Sequence, residues 1–272
     1  MDSVQVYRGM DIGTAKPSLD DRRRIPHHMI DVADPAAPFS VAEFQVLGVG
    51  AVEEIAGRGS PVLIVGGSGL HFRSLVDPFD FPPTDPTVRQ EVEAVPAAAA
   101  VAELVGADPS AADLVDLANP RRVIRAVEIL RITGLTPSDR LRGPRPEAVR
   151  AYRPVRPVAA VGIDPGGRLA ERVQHRFDRM LADGLLDEVR GLALGPTAAT
   201  AVGYREMNEV IAGVWDLAQA RRRAVDASTA LARRQRTYHR RDPRIDWIEW
   251  DDDPDVMARL AVARLEEAGW TS

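Results

Sequence analysis

The run Pro61-Val62-Leu63-Ile64-Val65-Gly66-Gly67 decides how this chain reads. It has no polar side chain and closes on two glycines. That pattern suits a strand buried on both faces of a parallel sheet, where apolar positions need not alternate with polar ones. A second run, Val158-Ala159-Ala160-Val161-Gly162-Ile163, reads the same way, and Ile245 to Trp250 reads as a late strand. Around these runs the apolar spacing is helical. Ser40 with Glu43, followed by Phe44 and Leu47, signals a capped helix start, and that helix runs to about Gly57. His71 to Val76 continues as a short helix. In NPRRVIRAVEILRIT (119–133) Pro120 suits a first turn, Val123, Val127 and Leu130 share one face, and Gly134 ends the helix. Further helices are expected at Leu169–Leu194, 205–212, 215–239 and 254–268, with a turn at Gly203. Strands that end in glycine and alternate with helices indicate an α/β fold built on a parallel sheet. Residues 77–86 are rich in Pro and Asp, residues 87–133 are helical with breaks near Pro96 and Asp108-Pro109, and 137–157 reads as an Arg- and Pro-rich loop. The expected organisation is therefore a core of 1–76 with 158–272, interrupted by a helical subdomain at 77–157.

Composition narrows the chemistry. Apolar residues make up 45% and charged residues 28%, ordinary values for a globular domain of 272 residues. There is no cysteine, so disulfides, thiolate nucleophiles and cysteine-ligated zinc are excluded. The five histidines show no metal-ligand spacing, and His27-His28 reads as structural. With no run of about 18 apolar residues and no basic-then-apolar leader, a cytoplasmic protein without a membrane span is expected. Net charge is −5, yet the arginines cluster at 22–24, 121–125, 221–223 and 233–241. Local patches, rather than the sum, decide whether phosphates are bound. Lys16 is the only lysine.

Four segments stand out: DSVQVYRGMDIGTAKP (2–17), VGGSGLHFRSL (65–75), NPRRVIRAVEI (119–129), and AVGYREM (201–207) followed by RRQRTYHRRDPRIDWI (233–248). In this order and spacing, with IPHHMIDVADP (25–35) linking the first two, they resemble the bacterial tRNA dimethylallyltransferase family. The resemblance covers nearly the whole chain. It implies a P-loop-NTPase-like parallel sheet with flanking helices and an inserted helical subdomain that contacts tRNA. It implies transfer of a dimethylallyl group from its diphosphate to N6 of the adenine beside the anticodon, in tRNAs that read codons beginning with U. Family members carry a strand and a G-x-x-x-x-G-K-[ST] loop before the D-S-x-Q motif. No such loop occurs in these residues, and Asp2 directly follows Met1. The native protein is therefore expected to be longer, with its start upstream. Thr200 stands where relatives often have arginine.

The resemblance also assigns roles. An exocyclic adenine nitrogen is a poor nucleophile, and a carboxylate that takes its proton accelerates alkylation by ~10²–10⁴-fold; Asp2 carries that role. The departing diphosphate needs cations aimed at it. Arg176 in QHRFDRM matches the family's diphosphate arginine, the alternative being a surface arginine on a helix. Mg²⁺ is expected with the diphosphate. Ser68 either contacts the target nucleotide or caps a helix. Asp2, Ser3, Val4 and Gln5 would form the pocket for the extruded adenine, with the Gln5 amide suited to its donor–acceptor edge. Contact with tRNA is assigned to Arg89, Arg121, Arg122 and Arg125, to Gly203, Tyr204 and Arg205, and to Arg233, Arg234, Gln235, Arg236, Thr237, Tyr238, His239 and Arg240. That last mixture of cations with an aromatic ring suits single-stranded loops. The expected partners are a tRNA anticodon stem-loop and dimethylallyl diphosphate, bound by a monomer. Two other readings remain open at this point: a catalytically deficient RNA-binding remnant, and a transferase that acts on free adenine nucleotides.

Overall fold

A computed structural model describes residues 1–270 and divides the chain into two compact units, Met1–Val76 with Pro157 onward, and Asp77–Arg156. The first unit opens with a stretch anchored by Val6, Tyr7 and Met10, all buried. Helices α1 (Leu19–Arg24), α2 (Val41–Gly57) and α3 (Gly69–Val76) follow. Ser18 and Ser40 form the reciprocal caps of α1 and α2, with Asp21 and Glu43 as their partners. Phe44 of α2 and Phe72, Leu75 and Val76 of α3 enter the core.

The segment 61–67 departs from expectation. It joins no ladder, and Leu63 and Val65 are 74% and 69% exposed, while Val62 and Ile64 are half-buried. An apolar run records a tendency to be covered, but a parallel strand becomes a sheet member only when neighbours satisfy its backbone. Among the described residues the Met1 ammonium reaches it, donating to the Val65 carbonyl at 2.6 Å.

The second unit holds α4 (Pro86–Ala94), α5 (Ala97–Ala107), α6 (Ala111–Leu114), α7 (Pro120–Thr133), α8 (Pro137–Arg140) and α9 (Pro144–Arg150). Helix α7 lies against α4 and α5 around a core of Val92, Leu104, Val123 and Val127. Glu128, fully buried, is held by the Asp85 N–H and by Arg125. Asp108 ties α8 down by accepting the Ser138 N–H and hydroxyl. Residues 137–157, expected to be loop, contain α8 and α9. Their first turns carry proline, and Thr136 and Asp139 cap each other. Neither helix buries a residue, so neither leaves an apolar periodicity to read.

The chain then returns to the first unit with β1 (Ala160–Asp164), α10 (Leu169–Ala182), α11 (Leu185–Arg190), α12 (Tyr204–Ile211), α13 (Leu217–His239), β2 (Ile245–Glu249) and α14 (Pro254–Glu267). Strands β1 and β2 pair in parallel, Ala160 opposite Ile245 and Asp164 opposite Glu249. The helix expected over Leu169–Leu194 breaks in two, because Gly184 adopts φ +100°, a conformation that side chains with a Cβ rarely take. Helices α10 and α13 pack together, with Phe177, Met180, Ala220 and Ala224 in the core. Among the described residues no helix is long and apolar enough to cross a membrane.

Candidate active site

The residues of the site, apart from the α4–α7 arginines, lie in the first unit. Asp2 heads a tight turn: its Oδ1 accepts the N–H groups of Val4 (2.8 Å) and Gln5 (3.1 Å). This is the local side-chain-to-backbone bonding that Asp favours ahead of a turn. Its second oxygen has no partner among the described residues. Gln5 donates from Nε2 to the carbonyls of Thr14 (3.0 Å) and Ala15 (3.3 Å), which leaves its Oε1 as a free acceptor. Ser3 is exposed and Val4 is half-buried against the core. Four consecutive residues thus present one carboxylate oxygen and one amide oxygen from a backbone fixed at Val6 and Tyr7.

The glycine turn 66–69 is covered by the last turn of α13. A Cβ built on Gly67 would lie 2.9 Å from the Gln235 amide oxygen, and one on Gly69 would overlap the Tyr238 ring. His239 Nε2 lies 3.2 Å from the Gly67 carbonyl. Ser68, at the head of α3, has its Oγ 2.7 Å from His71 Nδ1. Gly69→Ala should therefore displace the Tyr238 ring and the α13 terminus. The expected cost is about 1–3 kcal/mol of stability, the usual range for overpacking. Thermal denaturation checks it, and a wild-type profile would contradict the contact.

A cavity of about 560 Å³ opens beside the 11–18 loop, lined by Lys16, Arg22, Asp31, Arg176, Arg179 and Met180 among others. The Lys16 side chain is 1% exposed, and its ammonium bonds the Tyr7 carbonyl (2.6 Å), Asp11 (2.7 Å) and Asp31 (2.6 Å). Burial pushes the Asp31 carboxyl up, but hydrogen bonds from Lys16 and Arg22 outweigh it and leave the group below the usual carboxylate range. Arg176 and Arg179, both exposed and one turn apart on α10, have no ion-pair partner among the described residues. The cavity therefore has a neutralised floor, two uncommitted guanidinium groups and one exposed carboxylate, Asp183, a net positive balance that suits an anion. For Mg²⁺ the fit is poor. The described residues contain no cluster of three carboxylate or imidazole groups, and Asp11 and Asp31 already share an ammonium.

The AVGYRE segment is structural. Tyr204 is fully buried, and its hydroxyl donates to Glu188 at 2.5 Å. Glu188 also accepts the N–H groups of Asp11 (2.9 Å), Ile12 (2.7 Å) and Gly13 (3.2 Å). Burial and this carboxylate together push the Tyr204 phenol far above its ordinary value. Glu206, also fully buried, accepts the Gly203 N–H at 2.7 Å and pairs with Arg205. Gly203 and Tyr204, expected to touch RNA, are both buried, and Tyr204 holds the loop that carries Lys16 through Glu188. Glu188, His71 and Arg179 were missed in the sequence. Glu188 lies in no recognisable motif, and His71 reads simply as the start of a helix.

The arginine clusters sort by partner. Arg236 and Arg240 both bind Asp164 at the end of β1, and Arg240 sits 5.2 Å over the Trp247 ring. Arg233 and Arg234 are exposed and unpaired among the described residues, and Thr237 bonds the Arg233 carbonyl. In the second unit Arg125 is engaged by Glu128 and the Pro82 and Pro83 carbonyls, Arg89 by Glu93, and Arg122 by Asp116 at 3.5 Å. Arg121 is exposed with no partner among the described residues.

The family model described as IPP transferase matches residues 5–242. A tRNA dimethylallyltransferase of Salinispora tropica is 42% identical over 273 residues, covering 97% of this chain and 83% of that protein. One from Acidothermus cellulolyticus is 42% identical over 282 residues, covering 100% and 85%. Among solved structures, the tRNA isopentenylpyrophosphate transferase of Bacillus halodurans is 33% identical with a TM-score of 0.66, covering 98% of this chain and 87% of that one. A eukaryotic dimethylallyltransferase acting on tRNA is similar in fold, with a TM-score of 0.75 at 21% identity over 98% of this chain and 72% of that one.

Proposed function

Because this chain belongs to the IPP transferase family, we propose a division of labour among its residues for moving a dimethylallyl group onto tRNA. It is a prenyltransferase of tRNA modification with an α/β, P-loop-NTPase-like fold. The donor is dimethylallyl diphosphate. The acceptor is N6 of the adenine beside the anticodon, in tRNAs that read codons beginning with U. The workplace is the cytoplasm. The nitrogen lone pair attacks the allylic carbon, the carbon–oxygen bond to diphosphate breaks, and the N–H proton passes to the unpartnered oxygen of Asp2. Gln5 Oε1 accepts from the adenine amino group, consistent with its amide N–H₂ being engaged elsewhere. Arg176 and Arg179 take the charge that develops on the diphosphate. Arg233 and Arg234, and Arg121 in the helical unit, are the cations left for RNA phosphates. The observation that carries this reading is the Asp2 turn, where one oxygen is fixed by two amides and the other is open.

The test is incubation of the protein with an anticodon stem-loop and labelled dimethylallyl diphosphate. Label on the exocyclic nitrogen supports the assignment. Binding without turnover would favour a catalytically deficient RNA-binding protein, and preferential labelling of free adenine nucleotides would favour the mononucleotide transferase. Arg176→Ala should lower kcat/KM for the diphosphate by ~10²–10³-fold, the usual cost of losing a donor to developing charge. Stem-loop affinity should be unchanged. A loss below about three-fold, small against that range, would remove Arg176 from the diphosphate site.

A further inference from the structure

Ser68 and His71 are one helical turn apart at the start of α3, and Oγ lies 2.7 Å from Nδ1. A hydroxyl can turn either way, so a serine that meets a ligand is a donor or an acceptor according to what it meets on its other side. Here the other side is an imidazole fixed in place. Its ring stands edge-on to the buried Phe44 with centroids 4.5 Å apart, at 86°. We propose that His71 is a positioning residue: its neutral Nδ1 accepts the Ser68 O–H, so that the hydroxyl turns its lone pairs toward the incoming nucleotide and reads a donor there. This inference rests on the proposed transfer to tRNA and, of the two roles open to Ser68, on contact with the target nucleotide.

The charge state agrees. Burial holds the His71 imidazole below its ordinary pKa; the Met1 ammonium adds to this and the Asp2 carboxylate opposes it. A protonated ring would carry N–H on both nitrogens and force the hydroxyl to accept from it, reversing its face to the ligand. The adenine amino group is a donor, and Gln5 Oε1 and the open Asp2 oxygen are acceptors. Those two take both N–H bonds of that amine, so an acceptor at Ser68 meets a donor elsewhere on the nucleotide, such as a ribose hydroxyl.

Two experiments decide it. Long-range proton–nitrogen NMR correlation on the full chain at neutral pH reads the tautomer directly and needs no ligand. The neutral form with hydrogen on Nε2 is expected, and hydrogen on Nδ1 overturns the proposal. A double-mutant cycle on stem-loop affinity reads the consequence. Ser68→Ala and His71→Phe should each weaken binding about five- to ten-fold, as for one hydrogen bond. The pair should cost no more than either alone, and His71→Asn, which offers an acceptor in the place of Nδ1, should restore most of the loss. Additive effects, or no rescue by His71→Asn, overturn it. If no variant or wild type binds the stem-loop, the nucleotide assignment fails while the NMR result still decides the tautomer.

Discussion

Asp2→Asn is expected to reduce the single-turnover rate of dimethylallyl transfer by ~10²–10⁴-fold, the usual contribution of a positioned general base. The variant is chosen for what it keeps. Oδ1 of the native carboxylate accepts two N–H bonds from Val4 and Gln5. An asparagine oxygen accepts the same two, so the turn and the direction of the side chain persist. What changes is the other atom, where an amide nitrogen cannot take a proton from the adenine amine. Melting temperature should therefore stay near wild type, and stem-loop affinity should fall by no more than the one hydrogen bond to the amine, about ten-fold, while the rate collapses. Asp2→Ala is a poorer probe, because it loses the turn bonds and the base together. If Asp2→Asn transfers at a rate close to wild type, proton removal lies elsewhere.

The largest effect on stability is expected from Glu188→Ala. One carboxylate satisfies three consecutive backbone amides and the hydroxyl of a buried tyrosine. Truncating it leaves Tyr204 without its partner inside the core and unpins the 11–13 loop. Losing the acceptor of one buried hydroxyl and three partly exposed amides costs about 3–5 kcal/mol. For a chain of this size that is a fall in Tm of roughly 6–20 °C. Tyr204→Phe removes one bond of the four and should cost about 1.5–3 kcal/mol. Because the same loop carries Lys16 and receives Gln5, Glu188→Ala should also weaken binding of the diphosphate. Differential scanning calorimetry gives the ordering, and a Tm for Glu188→Ala equal to that of Tyr204→Phe would contradict the role of the amide bonds.

The sequence reveals those parts of the molecule whose causes are local. The Ser40–Glu43 cap, Pro120 at the start of α7 and the Ile245 strand each depend on a few adjacent residues, and each is found where its pattern stands. The breaks are also local but weaker in signal. Gly184 is one glycine among 21 in the chain, and only its backbone angle shows that it ends α10. The 61–67 run misleads because burial is a property of neighbours, and composition alone does not supply them. The site divides in the same way. Asp2, Gln5 and Arg176 are legible through their motifs. Glu188 is not, since its meaning arises only when α11 meets the 11–13 loop, 175–177 residues away in sequence. Tyr204 lies in a recognisable motif, but its place in the core is visible only in three dimensions.

In the proposed transfer an exocyclic amine loses a proton to a fixed carboxylate oxygen as the allylic carbon bonds to it. The most direct measurement uses two anticodon stem-loops, identical except that one carries adenosine and the other purine riboside, which lacks the amino group, at the position beside the anticodon. With protein and labelled dimethylallyl diphosphate, label should enter the adenosine RNA and not the purine RNA, although both bind. Label entering both RNAs, attached to a ring nitrogen, would contradict the chemistry assigned to Asp2.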